Sequence, residues 1–258
     1  SARNSLPLRT LLSSKVFLIA NESTGCERDM LEDGLSYPVR GDWVGRILIG
    51  GGLVLLSVLL FPAILLTGYW IQVLEKTVAG DENPPKFTEW GDLFVKGLAG
   101  TVIGLAYAIV PTAIYSVVVF GLIGVGLGLG GDGGGLIAGI GFMTVFASIP
   151  LMLIIYYIVP AGLTNYAREG SISAAFDMSA IKPVLLSTDY LLAALFPMAV
   201  AVVLMIVNST LIFTVVGALL VPFIGFYANV AIFRMFGHAF ATATTSGTSR
   251  STSTPTTF

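Results

Sequence analysis

Residues 98–129 read LAGTVIGLAYAIVPTAIYSVVVFGLIGVGLGL, 32 residues without one charged side chain. A helix rises ~1.5 Å per residue and needs ~20 apolar residues to cross ~30 Å of hydrocarbon, so this run spans a bilayer with residues to spare. Lipid offers backbone groups no hydrogen bonds, whereas a helix pairs them internally. The ~10-residue segments of alternating polarity that mark a transmembrane barrel are absent.

Four further apolar blocks lie around it, at residues 47–74, 136–159, 190–207 and 211–233. The expected fold is therefore all-α, a polytopic transmembrane helical bundle of about five apolar segments. Pro62, Pro111 and Pro150 each remove a backbone donor and are expected to kink their helices.

Composition agrees. Of 258 residues, 55% are hydrophobic and 11% charged, with a mean hydropathy of +0.89; soluble domains are about 25% charged. The net charge of −2, with no basic block, argues against a nucleic-acid partner. Cys26 is the only cysteine and His238 the only histidine, which excludes an internal disulfide and any cysteine-cluster or multi-histidine metal site. No Gly-x-Ser-x-Gly, His-Glu-x-x-His or paired carboxylates in register occur. A non-enzymatic protein is expected, with no catalytic, cofactor-binding or metal residue to nominate and no cofactor.

The glycine-rich run from Gly128 to Gly133 matches a dinucleotide fingerprint in letters only, since it separates two apolar helices rather than following a strand. It reads as a turn. Gly100–Gly104, Gly124–Gly128 and Gly135–Gly139 are small-xxx-small pairs, expected to pack helices within the chain, or alternatively against a second copy or another membrane protein. No charge falls in mid-span, which counts against a proton-coupled pump. Tyr107, Tyr115, Thr144 and Ser148 could form a polar seam or bond locally, and Arg234 with His238 sit at a helix exit where they are expected to reach water.

Loop charges orient the chain, because Lys and Arg near span ends stay in the cytoplasm. Lys76, Lys86 and Lys96 share one loop, Arg168 and Lys182 another, and Arg234 and Arg250 lie at the C-terminal end. The turns at 131–135 and 208–210 carry no cations. Blocks two to five thus alternate, with the cationic loops inside. Block one does not fit, since a single crossing would put Arg40 and Arg46 outside. Either it folds back at Pro62 as a re-entrant or hairpin element, which the charge rule favours, or it crosses once and the rule fails there.

Two cytoplasmic segments look amphipathic and interfacial. Phe87, Trp90, Leu93 and Phe94 alternate with Lys86, Glu89 and Asp92, and Ile172, Ala175, Phe176 and Ile181 are flanked by Arg168, Asp177 and Lys182. Three regions follow: an N-terminal extension at 1–29, expected to be disordered with Met30 as the natural start; a membrane domain at 30–241; and a disordered Ser/Thr-rich tail at 242–258.

The run from Met30 to Trp43 (MLEDGLSYPVRGDW), with Ile47 to Gly51, resembles the opening of an uncharacterised, mainly archaeal membrane family, domain of unknown function 4013. Gly68-Tyr69, the run from Ala79 to Phe87, and Trp90-Gly91-Asp92-Leu93 are similar to its central signature. Asn165 to Arg168 and Ala175 to Asp177 resemble its later one. The family often has Gly-Asp-Asp-Trp where this chain has Gly41-Asp42-Trp43. The resemblance implies a multi-pass cell-membrane protein of archaeal type and supplies no activity, ligand or site residue.

The expected role is a structural or interaction component of the cytoplasmic membrane, with the bilayer as its first partner and the segments at 83–96 and 171–182 facing lipid or protein. The alternative is a small-molecule transporter or export-complex subunit, with a site at helix breaks near Pro62 and Pro111.

Overall fold

A computed structural model describes residues 31–251. Every regular element among the described residues is helical. The expectations for residues 1–29, Cys26 and Met30 lie outside them.

The first apolar block forms two helices, α1 (Trp43–Leu55) and α2 (Leu60–Val78). The chain turns at residues 56–59, where Ser57 Oγ donates to the Val54 carbonyl over 2.7 Å. The two outer ends meet, with Arg40 donating to the Glu82 carbonyl over 3.2 Å. Block one is thus a hairpin, but its break precedes Pro62. That proline is the third residue of α2, where the missing N–H would have no partner in the helix anyway. The expected kink is therefore absent.

The next helix, α3, runs unbroken from Trp90 to Leu129. At about 1.5 Å per residue its 40 residues extend roughly 60 Å. It crosses α2 where Gly68 faces Gly97. A Cβ on Gly68 would lie 1.8 Å from the Leu93 carbonyl oxygen, and one on Gly97 1.9 Å from that of Ile64, so only glycine permits this approach. Phe87 to Phe94 do not form an interfacial helix of their own. Phe87 stacks on Tyr69 at 4.4 Å and Leu93 is fully buried, so the apolar face covers the protein core.

The chain reverses at Gly130 and Gly131, whose φ values of 64° and 63° favour glycine. Helix α4 (Gly131–Thr144) returns along α3, packing at Gly126, Gly134 and Ala138. A short 3-10 turn, Val145–Ala147, leads into α5 (Ser148–Glu169). Pro150 lies in the first turn of α5, and this 3-10 turn takes the place of the expected kink. Of the three prolines, Pro111 alone occupies a helix interior. Helix α5 also continues past Pro160, burying Pro160 to Tyr166.

A 3-10 segment (Ile172–Phe176) and α6 (Met178–Leu185) connect to α7 (Thr188–Leu211) and α8 (Val215–Ser251). Helix α8 packs on the hairpin, Phe226 against Gly50 and Tyr69. It also extends through residues 242–251, the described part of the expected tail. There Ala243 is buried and the Thr244 and Thr245 hydroxyls bond back to carbonyls at 240 and 241.

Among the described residues, three stretches are long and apolar enough to cross a membrane: Trp90–Leu129, Gly131–Glu169 and Val216–Thr245. Shorter apolar helices occur at Trp43–Leu55 and Pro197–Leu211. In the first two long stretches the most apolar windows are 6% and 0% buried, which leaves them a hydrocarbon environment to face. The small-xxx-small pairs do not pack helices within the chain as expected. Gly100 packs against Ile71, whereas Gly104, Gly124, Gly128, Gly135 and Gly139 have nothing near a would-be Cβ.

Candidate functional site

Buried side chains and polar networks concentrate at one end of the bundle. The centre is Asp33, from the helical turn that precedes α1. Its Oδ2 accepts from Arg234 Nε at 2.8 Å and its Oδ1 from Arg40 Nη2 at 2.7 Å. His238 Nε2 lies 3.0 Å from the same carboxylate but is off line for a hydrogen bond. Burial raises the Asp33 pKa, yet the bonds from Arg234 and Arg40 outweigh it and hold the carboxyl below its ordinary value.

Arg234 was expected to reach water at a helix exit. Instead it is 3% exposed, lies over the Tyr37 ring at 4.3 Å, and donates from Nη1 to the Asp81 carbonyl at 2.8 Å. A buried guanidinium is tolerable here because it is paired with a carboxylate and its Nε and Nη1 are hydrogen-bonded. Burial pushes the Tyr37 hydroxyl up to about 12, so near neutral pH it stays protonated as a donor.

These groups pin the loop between α2 and α3 by its carbonyls. Arg234 holds Asp81, Arg40 holds Glu82, Tyr37 holds Asn83 at 3.2 Å, and Tyr69 holds Pro85 at 3.0 Å. Lys76 pairs with Asp81 at 2.6 Å. A loop carrying Pro84 and Pro85 has few N–H groups to fold on itself, so side chains from other elements fix its path.

Beside it, Lys96 bridges Glu75 at 2.6 Å and Asp92 at 2.8 Å, and Gln72 donates to Asp92 at 2.9 Å. These residues line a polar cavity of about 400 Å³ that also reaches Lys86 and Glu89. The second signature joins the same end, with Asn165 donating to the Ala174 carbonyl at 2.7 Å and Arg168 lying over Phe240. The Tyr107 hydroxyl donates to the Ala175 carbonyl. Of the residues considered for a polar seam, Tyr107, Tyr115 and Thr144 serve the backbone instead. Tyr115 Oη reaches the carbonyls of Thr144 and Val145, and Thr144 bonds within its own turn.

The cations Arg40, Lys76, Lys96, Arg168 and Arg234 therefore share one end. The turns at 56–59, at Gly130 and at 212–214 carry none. Sequence reasoning missed Asp33 as their centre; the only signal was a carboxylate within a recognisable opening motif.

Helices with exposed apolar flanks and polar groups gathered at one end define the class of α-helical membrane proteins. Within it, the chain belongs to the family described as "Protein of unknown function (DUF4013)", whose model matches residues 52–213. No curated protein and no solved structure matches the chain. The matched stretch contains Gly68-Tyr69, the pinned loop and Asn165. Asp33, Arg40, Arg46, Arg234 and His238 lie in the flanks, which clasp the matched core.

Proposed function

We propose that this is a non-enzymatic, multi-pass component of the cell membrane that acts by binding another membrane protein. By the charge rule its polar end faces the cytoplasm. The hairpin of α1 and α2 dips into the membrane and returns. Helix α3, the α4–α5 pair, α7 and α8 then make four crossings, which leave both flanks inside.

The observation that carries the interaction reading is the surface between α5 and α7. Ile172, Phe176 and Met178 are 46%, 40% and 51% exposed. Their backbone is nonetheless fixed by Tyr107, by Asn165 and by Asp177, which caps α6. Apolar side chains held outward on an ordered backbone bind a partner with little loss of conformational entropy. The open glycine faces at 124–128 and 135–139 provide a second contact, within the bilayer, for a partner helix or another copy. The test is photocrosslinking from position 176 in native membranes, followed by purification. One stoichiometric protein adduct supports the proposal; adducts with lipid alone refute it.

Transport is a second reading, favoured by a cavity of about 520 Å³ between α5, α7 and α8. Tyr156 and Asn208 line it, and the Tyr156 hydroxyl and Asn208 Oδ1 are buried with no hydrogen-bond partner among the described residues. A transported solute would then bind there rather than near Pro62 and Pro111. Native mass spectrometry tests this reading through a retained small molecule that is lost in Tyr156→Phe/Asn208→Leu; an empty wild-type protein contradicts it.

A further inference from the structure

Arg46 lies in the first turn of α1, 7% exposed, and unlike Arg234 it has no carboxylate partner among the described residues. Its Nη1 donates to the Pro38 carbonyl at 2.9 Å and its Nη2 to the Arg40 carbonyl at 3.0 Å, while Nε is buried with no partner. A buried cation compensated only by carbonyl dipoles is costly, and an anion placed beside the guanidinium would offset that cost.

Arg46 lines a pocket of about 210 Å³ with Asp42, Lys86 and Thr88, equal to the liquid volume of roughly seven waters. Lys86 is exposed and makes no ion pair among the described residues, and the Thr88 hydroxyl is likewise uncommitted. Two cations against one carboxylate leave the lining net positive. Trp43 and Trp90, 45% and 44% exposed, stand at the starts of α1 and α3, one residue after Asp42 and two after Thr88 in the chain. Exposed indoles of this kind sit at the headgroup level of a bilayer.

We propose that this pocket binds a phosphate oxyanion, carried by a lipid headgroup or by soluble phosphate, between Arg46, Lys86 and the Thr88 hydroxyl. The site is independent of the interaction surface on residues 172–178, so either can fail alone.

The test uses the full chain in uncharged detergent. Its unfolding midpoint is followed with inorganic phosphate, at ionic strength matched with chloride, and separately with phosphatidylglycerol added to the detergent micelles, against the detergent alone. A rise with phosphate assigns the soluble ion. A rise with phosphatidylglycerol alone assigns the headgroup. In both cases Lys86→Gln raises the half-saturating concentration about tenfold, the scale of one charged hydrogen bond, and Lys182→Gln, an exposed cation on α6, does not. Arg46→Gln also removes two backbone bonds and can unfold the chain, so Lys86→Gln carries the decision. No rise with either probe, or an undiminished response in Lys86→Gln, overturns the proposal.

Discussion

Arg234 on the last helix donates to Asp33 ahead of the first over 2.8 Å, joining residues 201 positions apart. Because Arg234 also holds the Asp81 carbonyl and Asp33 also holds Arg40, this pair closes the polar end of the bundle. Removing one partner strands the other. Asp33→Asn leaves a buried guanidinium without its anion and is expected to cost about 2–4 kcal/mol. Arg234→Met should cost less than Asp33→Asn, since Arg40 still neutralises Asp33. The double variant should cost less than the sum of the two. Reversible unfolding of the full chain in detergent measures all three, and additive costs would remove the pair from the account.

The same carboxylate sets an acid limit. Its folded pKa is depressed, so its contribution is fully present above the unfolded value of about 3.9 and is lost as pH falls through the lower folded value. Stability should therefore fall more steeply below about pH 4 in the wild type than in Asp33→Asn. Unfolding midpoints from pH 6 to 3 in both proteins check the sign; parallel curves would contradict it.

The crossing of α2 and α3 makes a steric prediction. Gly68→Ala and Gly97→Ala each drive a methyl group into a carbonyl of the facing helix, expected to cost about 1–3 kcal/mol or more. Gly104→Ala, which meets nothing, should be neutral or stabilising by up to about 1 kcal/mol. Thermal midpoints separate the two classes, and equal effects at Gly68 and Gly104 would refute the close approach.

What sequence could and could not supply follows from these particulars. Apolar blocks located the helices because lipid and helix geometry leave little choice, and loop cations indicated a hairpin because charge is read without knowing contacts. The break missed Pro62 because a proline kinks a helix only from its interior, and the start of α2 at Leu60 is set by the turn at 56–59. Phe87 and Leu93 looked interfacial because periodicity marks an apolar face without naming what covers it; Tyr69 and Phe226 cover it. Arg234 looked solvated because its partner is distant in the chain.

Tyr107 ties α3 to the segment that bears the proposed interaction surface. Tyr107→Phe removes its bond to the Ala175 carbonyl and is expected to cost about 1 kcal/mol. The loss should appear locally, as faster amide exchange at residues 174–177 with little change in α1 and α2. Unchanged exchange there would mean that Asn165 and Asp177 order the segment without Tyr107.

The hairpin of α1 and α2 requires both ends of block one to lie on one side of the membrane. Single cysteines at the exposed positions Asp42, Glu82 and Asp132, in a Cys26→Ser background, can be labelled in sealed vesicles with an impermeant maleimide. Positions 42 and 82 should react from the same face and position 132 from the other. Reaction of 42 and 82 from opposite faces would show that block one crosses the bilayer, and would contradict the hairpin and the polar end built on it.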